Sequence, residues 1–466
     1  MLFNSNEFLV FFGFFLVCYW LVRHSLALRN CLVVVASYVF YCWWDYRFGA
    51  LLLFTSLTDF FLGRLIAASP SVQRRKFLLF LSVTCNLTLL GFFKYFDFFA
   101  QSLEALLASC GFRMSRFVLD VTLPVGISFY TFQSMSYIID VYRRQIPATR
   151  NVIDFLAFVS FFPQLVAGPI ERASHLLPQF AQTLRITREN IERGLWLMIW
   201  GMFQKVVLAD NLAPLAELAF DHAQPSLPVL ALGSIAFGLR ILCDFGGYSD
   251  IARGVASVLG FTLMINFNAP YTARSLKEFW GRWHISLSTW IRDYLYIPLG
   301  GNRRGEWRTG LNLLVVMLLA GLWHGAAINF VLWGLWHGAG LLGYHVWSRL
   351  RPADRPLPKA FAWALTMAFV FGGWVLFRIQ SAEGLFNATL SLGRLDLPVW
   401  WKTYVLSLTV LAAPVVIMQF RQGLLNQADS FAVISRRWRV ALNGLMLLAI
   451  AAWWSQEPAT FIYFQF

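Results

Sequence analysis

Two of the seven histidines in this chain stand where an imidazole could act on a substrate. His324 lies in Trp323-His324-Gly325, just after a charge-free run from Leu311 to Trp323, and Trp333-Gly334-Leu335-Trp336-His337-Gly338 follows. As helix the run rises about 1.5 Å per residue, so it covers about 20 Å of a hydrocarbon core about 30 Å thick. His324 is therefore expected at membrane depth, where an ionisable side chain marks a functional site. The glycine after it lets backbone or substrate approach closely. His284 also follows a tryptophan, in Phe279–Ser286. A buried imidazole is biased toward its neutral form, and a neutral imidazole can take a proton from a hydroxyl. The second histidine could orient an acyl group or donate to a developing oxyanion. Taken alone, a Trp-His-Gly triplet also fits a packed core histidine.

The other five histidines read as structural or solvated. His24 and His222 lie in polar loops, His175 follows a Gly-Pro segment, and His345 is near a helix end. His337 lies thirteen residues beyond His324. That is about 220° around a continuous helix, so the two are expected to face apart.

The elements that must carry these residues are membrane elements. The 466 residues are 58% hydrophobic and 17% aromatic, with only 13% charged, and the mean hydropathy is +0.59. That composition excludes a soluble domain. Apolar stretches recur at Phe8–Val22, Cys31–Trp44, Phe48–Leu62 (interrupted by Asp59), Phe77–Phe93, Leu195–Phe203, Ala360–Phe377, Tyr404–Phe420 and Val440–Trp454. We expect about ten to twelve membrane elements, some short or re-entrant. The net charge of +14 sits mostly in short loops, which fits the positive-inside rule and headgroup contact rather than nucleic acid. The six cysteines show no paired or metal-binding spacing and read as small buried hydrophobes. The loop charges put both termini outside the cytoplasm. The first apolar stretch lacks a basic flank and a cleavage site, so it reads as a retained helix.

Three segments are not ordinary spans. Pro124–Ser134 is apolar but laced with hydroxyls and an amide, and Phe161–Ile170 carries two prolines and a glycine. Irregular backbone at membrane depth must be satisfied by protein or line a cavity. The two segments are thus either walls of a tunnel, with Ser128 and Gln133 (and, further on, Asn329) as lining candidates, or kinked packing helices. Asn266–Arg304 is too polar to span, yet Trp280, Trp283, Leu287 and Trp290 form one stripe at helical spacing. Such a helix is expected to lie flat at an interface or dip into a funnel. Arg274, Lys277, Arg282 and Arg292 beside it are candidates for the phosphates of a cytosolic carrier such as coenzyme A or a phosphopantetheine arm, or for lipid headgroups.

Several of these motifs occur together in one known family. Phe279-Trp280-Gly281-Arg282-Trp283-His284-Ile285-Ser286 followed by Trp323-His324-Gly325 resembles the membrane-bound O-acyltransferase (MBOAT) family. Leu123–Phe129, Gln164–Ile170 and Phe245-Gly246-Gly247-Tyr248-Ser249-Asp250 resemble its bacterial branch, which serves O-acetylation of alginate, cellulose and peptidoglycan. The likeness runs from Phe3-Asn4-Ser5 to the terminal Phe461–Phe466.

The resemblance implies an all-α polytopic fold: one integral membrane domain over 1–466, a core at 120–345, a tail at 455–466, and a helical bundle around a transmembrane tunnel with short re-entrant and interfacial helices. It implies an O-acyltransferase of the bacterial inner membrane that passes an acetyl group from a cytosolic thioester, acetyl-CoA above all, toward an extracytoplasmic polysaccharide. It maps the hallmark histidine onto His324 and the second onto His284. It also implies an extracytoplasmic partner of the SGNH-hydrolase type. Tyr463, in the aromatic tail, is the candidate acyl relay, and a packing role for that tail is the alternative. No bound cofactor or metal is expected: Glu278 and Asp293 flank His284 on other faces, and Gly246-Gly247 lacks the continuation of a phosphate loop. D-alanyl or other acyl transfer to a cell-wall polymer is one competing reading. A transporter without chemistry is another, but it would show inverted repeats, and each distinctive motif occurs once. A scaffold for envelope synthesis is the third.

Overall fold

The computed structural model describes residues 1–112, 122–222, 225–350, 357–455 and 461–462. Within them the regular structure is helical. Five helices are long and apolar enough to cross a bilayer: Tyr46–Ala68, Val72–Ser109, Leu227–Val258, Lys359–Arg378 and Trp401–Leu425. Two shorter apolar helices, Asn6–Val22 and Leu26–Cys42, precede them. Packing divides the chain into two compact units, Met1–Ile191 with Val255–Met264, and Glu192–Gly254 with Ile265–Phe466.

The first unit is built from α1 (Asn6–Val22), α2 (Leu26–Cys42), α3 (Tyr46–Ala68), α4 (Val72–Ser109), α5 (Ile127–Tyr142), α6 (Val152–Ser160) and α7 (Ala173–Phe180). Their starts are capped by short polar side chains: Ser5 accepts from the Phe8 amide, Ser71 from Arg74 and Asn151 from Ile153. Asp59, which interrupts an apolar run, is fully buried. It accepts from Ser82 and Asn86 on α4 and from Ser134 on α5, so one carboxylate ties three helices. The Pro124–Ser134 stretch resolves into a left-handed turn at Gly126 (φ 78°) and the buried start of α5. Gln133 donates to the Phe158 carbonyl at 2.6 Å, and Ser128 is buried. Glu171 and His175 pair at 2.7 Å; the hydrogen bond to Glu171 raises the His175 pKa, and burial raises that of Glu171.

The second unit holds α8 (Arg188–Met202, from Glu192 on), α9 (Asp210–Phe220), α10 (Leu227–Val258, up to Gly254), α11 (Leu276–Arg282), α12 (Ile285–Ile291), α13 (Glu306–His324), α14 (Ile328–Leu350), α15 (Lys359–Arg378), α16 (Trp401–Leu425) and α17 (Arg436–Trp453). In α10, 83% of the apolar window is buried inside the protein, against 22–44% in the other four long helices, so α10 is the most buried of the five. Helices α13 and α14 form a hairpin with a seam of small residues. A methyl at Gly334 would lie 2.5 Å from the Met317 carbonyl oxygen, and one at Gly321 would overlap the Phe330 carbonyl. Only glycine permits that approach.

Two expectations about local structure are corrected. His324 and His337 are not on one continuous helix: α13 ends at His324, and α14 begins at Ile328. The hairpin turn, not helical phase, sets how they face. The 276–291 stretch is likewise two short helices with a break at Trp283-His284. Of the stripe, Trp283, Leu287 and Trp290 are buried and Trp280 is half-buried, so it faces the core, and of the two expected placements the segment enters the protein instead of lying on it.

Candidate functional site

The site is assembled in the second unit, where two breaks in helical structure meet. α13 delivers His324 as its last residue, 6% exposed. The α11–α12 break delivers His284, 1% exposed, with φ 43° and ψ 54°. A left-handed non-glycine residue costs about 1–3 kcal/mol and persists where its surroundings over-determine it. Trp323 links the two: its ring centroid lies 5.8 Å from the His284 ring and 5.0 Å from the His324 ring.

The partner that holds His284 is Asn266. Its carbonyl accepts the Ile285 amide at 2.9 Å. Its side-chain Oδ1 accepts the Ser286 hydroxyl at 2.7 Å and the Ser286 amide at 3.3 Å, and Nδ2 donates to Ser249 Oγ at 3.2 Å. His284 Nδ1 lies 3.4 Å from the same Oδ1. A backbone N–H can only donate, so the amide is oriented with Oδ1 toward Ser286 and His284. The imidazole must then donate from Nδ1, which makes Nε2 the basic nitrogen. This geometry suits His284 to receiving or orienting a hydroxyl proton; donation to an oxyanion would need the other tautomer.

His324 sits in an aromatic shell. Trp333 and Phe377 approach its ring edge-on at 5.1 and 5.3 Å, and Trp333 and Trp374 stack behind. Asn329, at the start of α14, donates to the Phe377 carbonyl at 3.0 Å and so holds the chain segment that carries this ring. His337 is fully buried among Phe279, Trp280, Trp333 and Phe369. Phe245 of α10 meets His284 edge-on at 4.7 Å. The imidazoles are thus placed where water is displaced by rings, which strengthens any charge interaction formed there.

A cleft approaches from the far side of Asn266. It encloses about 490 Å³ of empty space, part of it open solvent, and Asn266 with Ser249, Gln204, Asp250, Arg253 and Gln419 supplies polar lining. Its charges are internally paired: Arg253 bonds Asp250 at 2.8 Å and Asp429 at 3.3 Å, and Arg193 bonds Asp429 at 2.6 Å. Neither histidine lines the cleft; Asn266 stands between it and His284.

The donor candidates lie elsewhere in the unit. Arg282 pairs with Glu278 at 2.8 Å and Arg292 with Asp293 at 2.7 Å. Arg274 and Lys277 are exposed. Ser128 and Gln133 belong to the first unit. Tyr463 lies outside the described residues; Phe461 and Ile462 before it are buried against α10. Sequence reasoning did not single out Asn266, nor Asp244, Lys205 or Gln204. One signal was available: a carboxylate or cation inside an apolar helix is costly, and Asp244 is such a residue.

Residues 142–383 match the model of the family described as MBOAT, membrane-bound O-acyltransferase. The chain is 44% identical over 401 residues to the probable alginate O-acetylase of Pseudomonas aeruginosa, covering 84% of this chain and 75% of that protein. It is 35% identical over 380 residues to the peptidoglycan O-acetyltransferase of Helicobacter pylori, covering 75% and 71%. It is 27% identical over 278 residues to the teichoic acid D-alanyltransferase of Bacillus subtilis, covering 54% and 68%. This polytopic helical chain belongs to the membrane-bound O-acyltransferase family and is an O-acyltransferase.

Proposed function

We propose that the chain takes an acetyl group from a cytosolic thioester, with acetyl-CoA as donor, and passes it across the inner membrane for O-acetylation of an extracytoplasmic polysaccharide. One observation carries the reading: two buried imidazoles share one indole in a dry aromatic shell, and one is oriented by a buried amide. His324 is the general base. It takes the hydroxyl proton as that oxygen forms its bond to the thioester carbonyl carbon. The tetrahedral oxyanion collapses, the C–S bond breaks, and the departing thiolate takes the proton from the imidazolium to leave as the thiol. His284, through Nε2, accepts the hydroxyl's hydrogen bond as the nucleophile enters and so orients it, before that single proton turns to His324. Tyr463 is the candidate for that hydroxyl, as the residue after the buried Ile462.

The acceptor follows from the relatives, whose names specify alginate and peptidoglycan. The teichoic acid D-alanyltransferases match at lower identity and over less of this chain, so acetyl is preferred to D-alanyl. An SGNH-type partner outside the membrane completes the transfer to polymer. Both termini face that side. Membranes supplied with radiolabelled acetyl-CoA and polymer provide the assay. His324→Ala is expected to lower acetyl incorporation by a factor of about 100 or more at unchanged abundance. Wild-type incorporation by that variant would remove the base from the mechanism, and Tyr463→Phe tests the relay in the same assay.

A further inference from the structure

We infer that Asp244, fixed by Lys205, is a positioning residue that docks the C-terminal end of the chain beside the histidine site; its bearing on catalysis rests on the transfer reading above. Asp244 lies in the middle of α10 and is 2% exposed, one turn after the buried Arg240, which pairs with Glu217. Its Oδ2 accepts the backbone N–H of Ile462, 218 residues away, at 2.7 Å. Its Oδ1 pairs with Lys205 Nζ at 2.9 Å, and the same ammonium pairs with Asp210 at 2.9 Å. A buried ion pair contributes little net stability, because desolvation offsets the attraction. What this one supplies is a rigid, charged acceptor for a single backbone amide, and charge-assisted bonds are about twice as strong as neutral ones.

The contacts on either side of that bond give it direction. Phe461 lies 5.2 Å from the Tyr248 ring and 6.5 Å from the Phe245 ring. Asp244, Phe245 and Tyr248 are spaced i, i+1 and i+4 on α10, so one side of the helix binds both tail residues. Phe245 in turn meets the His284 ring at 4.7 Å. Phe461 and Ile462 are 3% and 1% exposed, so these two residues are core. The hydrogen bond from the Ile462 amide to a helix carboxylate fixes the tail along its length, and the tilted and edge-on contacts of the Phe461 ring fix its rotation. Together they hold Phe461 and Ile462 on the same α10 surface from which Phe245 meets the His284 ring.

The detergent-purified full chain, digested with a carboxypeptidase and followed by intact mass, reads the dock directly. In the wild type, trimming is expected to stop before Ile462. Asp244→Ala, which leaves Lys205 paired to Asp210, is expected to raise trimming past Ile462 about tenfold or more, and Asp244→Asn by less, since it keeps an acceptor oxygen. Phe461→Ala loosens the tail from its own side and decides the matter if Asp244→Ala does not accumulate. In the acetylation assay, Asp244→Ala should fall with deletion of residues 461–466, and the double variant should be no worse than the deletion. Equal trimming of Asp244→Ala and wild type overturns the dock. An opened tail with unchanged acetylation overturns its positioning role. A tail that opens on Asp244→Ala in a protein whose wild-type membranes acetylate no polymer leaves the dock standing and sinks the transferase reading instead.

Discussion

Asn266 is where the geometry makes its sharpest demand. Truncation to Ala removes three acceptor contacts, to Ser286 Oγ, Ser286 N and His284 Nδ1, and one donor contact to Ser249. Ser286 is fully buried, so each hydrogen bond that its amide and hydroxyl lose costs about 1–3 kcal/mol. The folded state should lose about 2–5 kcal/mol on that account. The imidazole loses one long, neutral bond, about 1 kcal/mol net, which is about fivefold in rate. The stability effect therefore exceeds the kinetic one, and activity must be normalised to folded protein at a permissive temperature. Asn266→Asp separates the two. It keeps the acceptor and places a negative charge beside His284, which favours the imidazolium. His284 can accept from the hydroxyl only as the neutral imidazole, so the rising limb of the pH–rate profile should move upward. Initial rates of acetyl incorporation from pH 5 to 9 provide the measurement. Superimposable profiles for Asn266→Asp and wild type would refute the hydrogen bond from Nδ1, and with it the assignment of Nε2 as the basic nitrogen.

Two other variants test the scaffold. Gly334→Ala pushes a methyl to 2.5 Å from backbone that cannot swing away, so it should cost about 1–3 kcal/mol and lower the melting temperature; Gly343→Ala on the same helix meets nothing within 4 Å and should be neutral or stabilising. Equal melting of the pair would discount the seam. Asp59→Ala leaves Ser82, Asn86 and Ser134 without their shared acceptor and should destabilise by about 3 kcal/mol or more in thermal denaturation; an unshifted transition would show that the carboxylate does not hold the three helices.

The membrane class and both imidazoles were legible because each is a local anomaly. A charge-free run ending in an ionisable residue needs no tertiary knowledge to be noticed. The helix break at His284 was not legible, since Trp280, Trp283, Leu287 and Trp290 satisfy a continuous helical period just as well. The phase argument separating His324 from His337 failed for the same reason: periodicity cannot see a three-residue turn inside an apolar stretch.

Amino-acid order alone determined that this chain lives in a bilayer and that its helices are apolar, and it singled out His284 and His324 as candidates. Tertiary structure alone decided what those side chains meet: Asn266 from 18 residues upstream, Trp323 between the rings, and an Ile462 amide held by a carboxylate 218 residues away. Burial preference acts residue by residue and is written in composition. Pairing depends on which elements pack together, and many packings satisfy the same apolar pattern until polar groups in a dry interior select the one that pairs them.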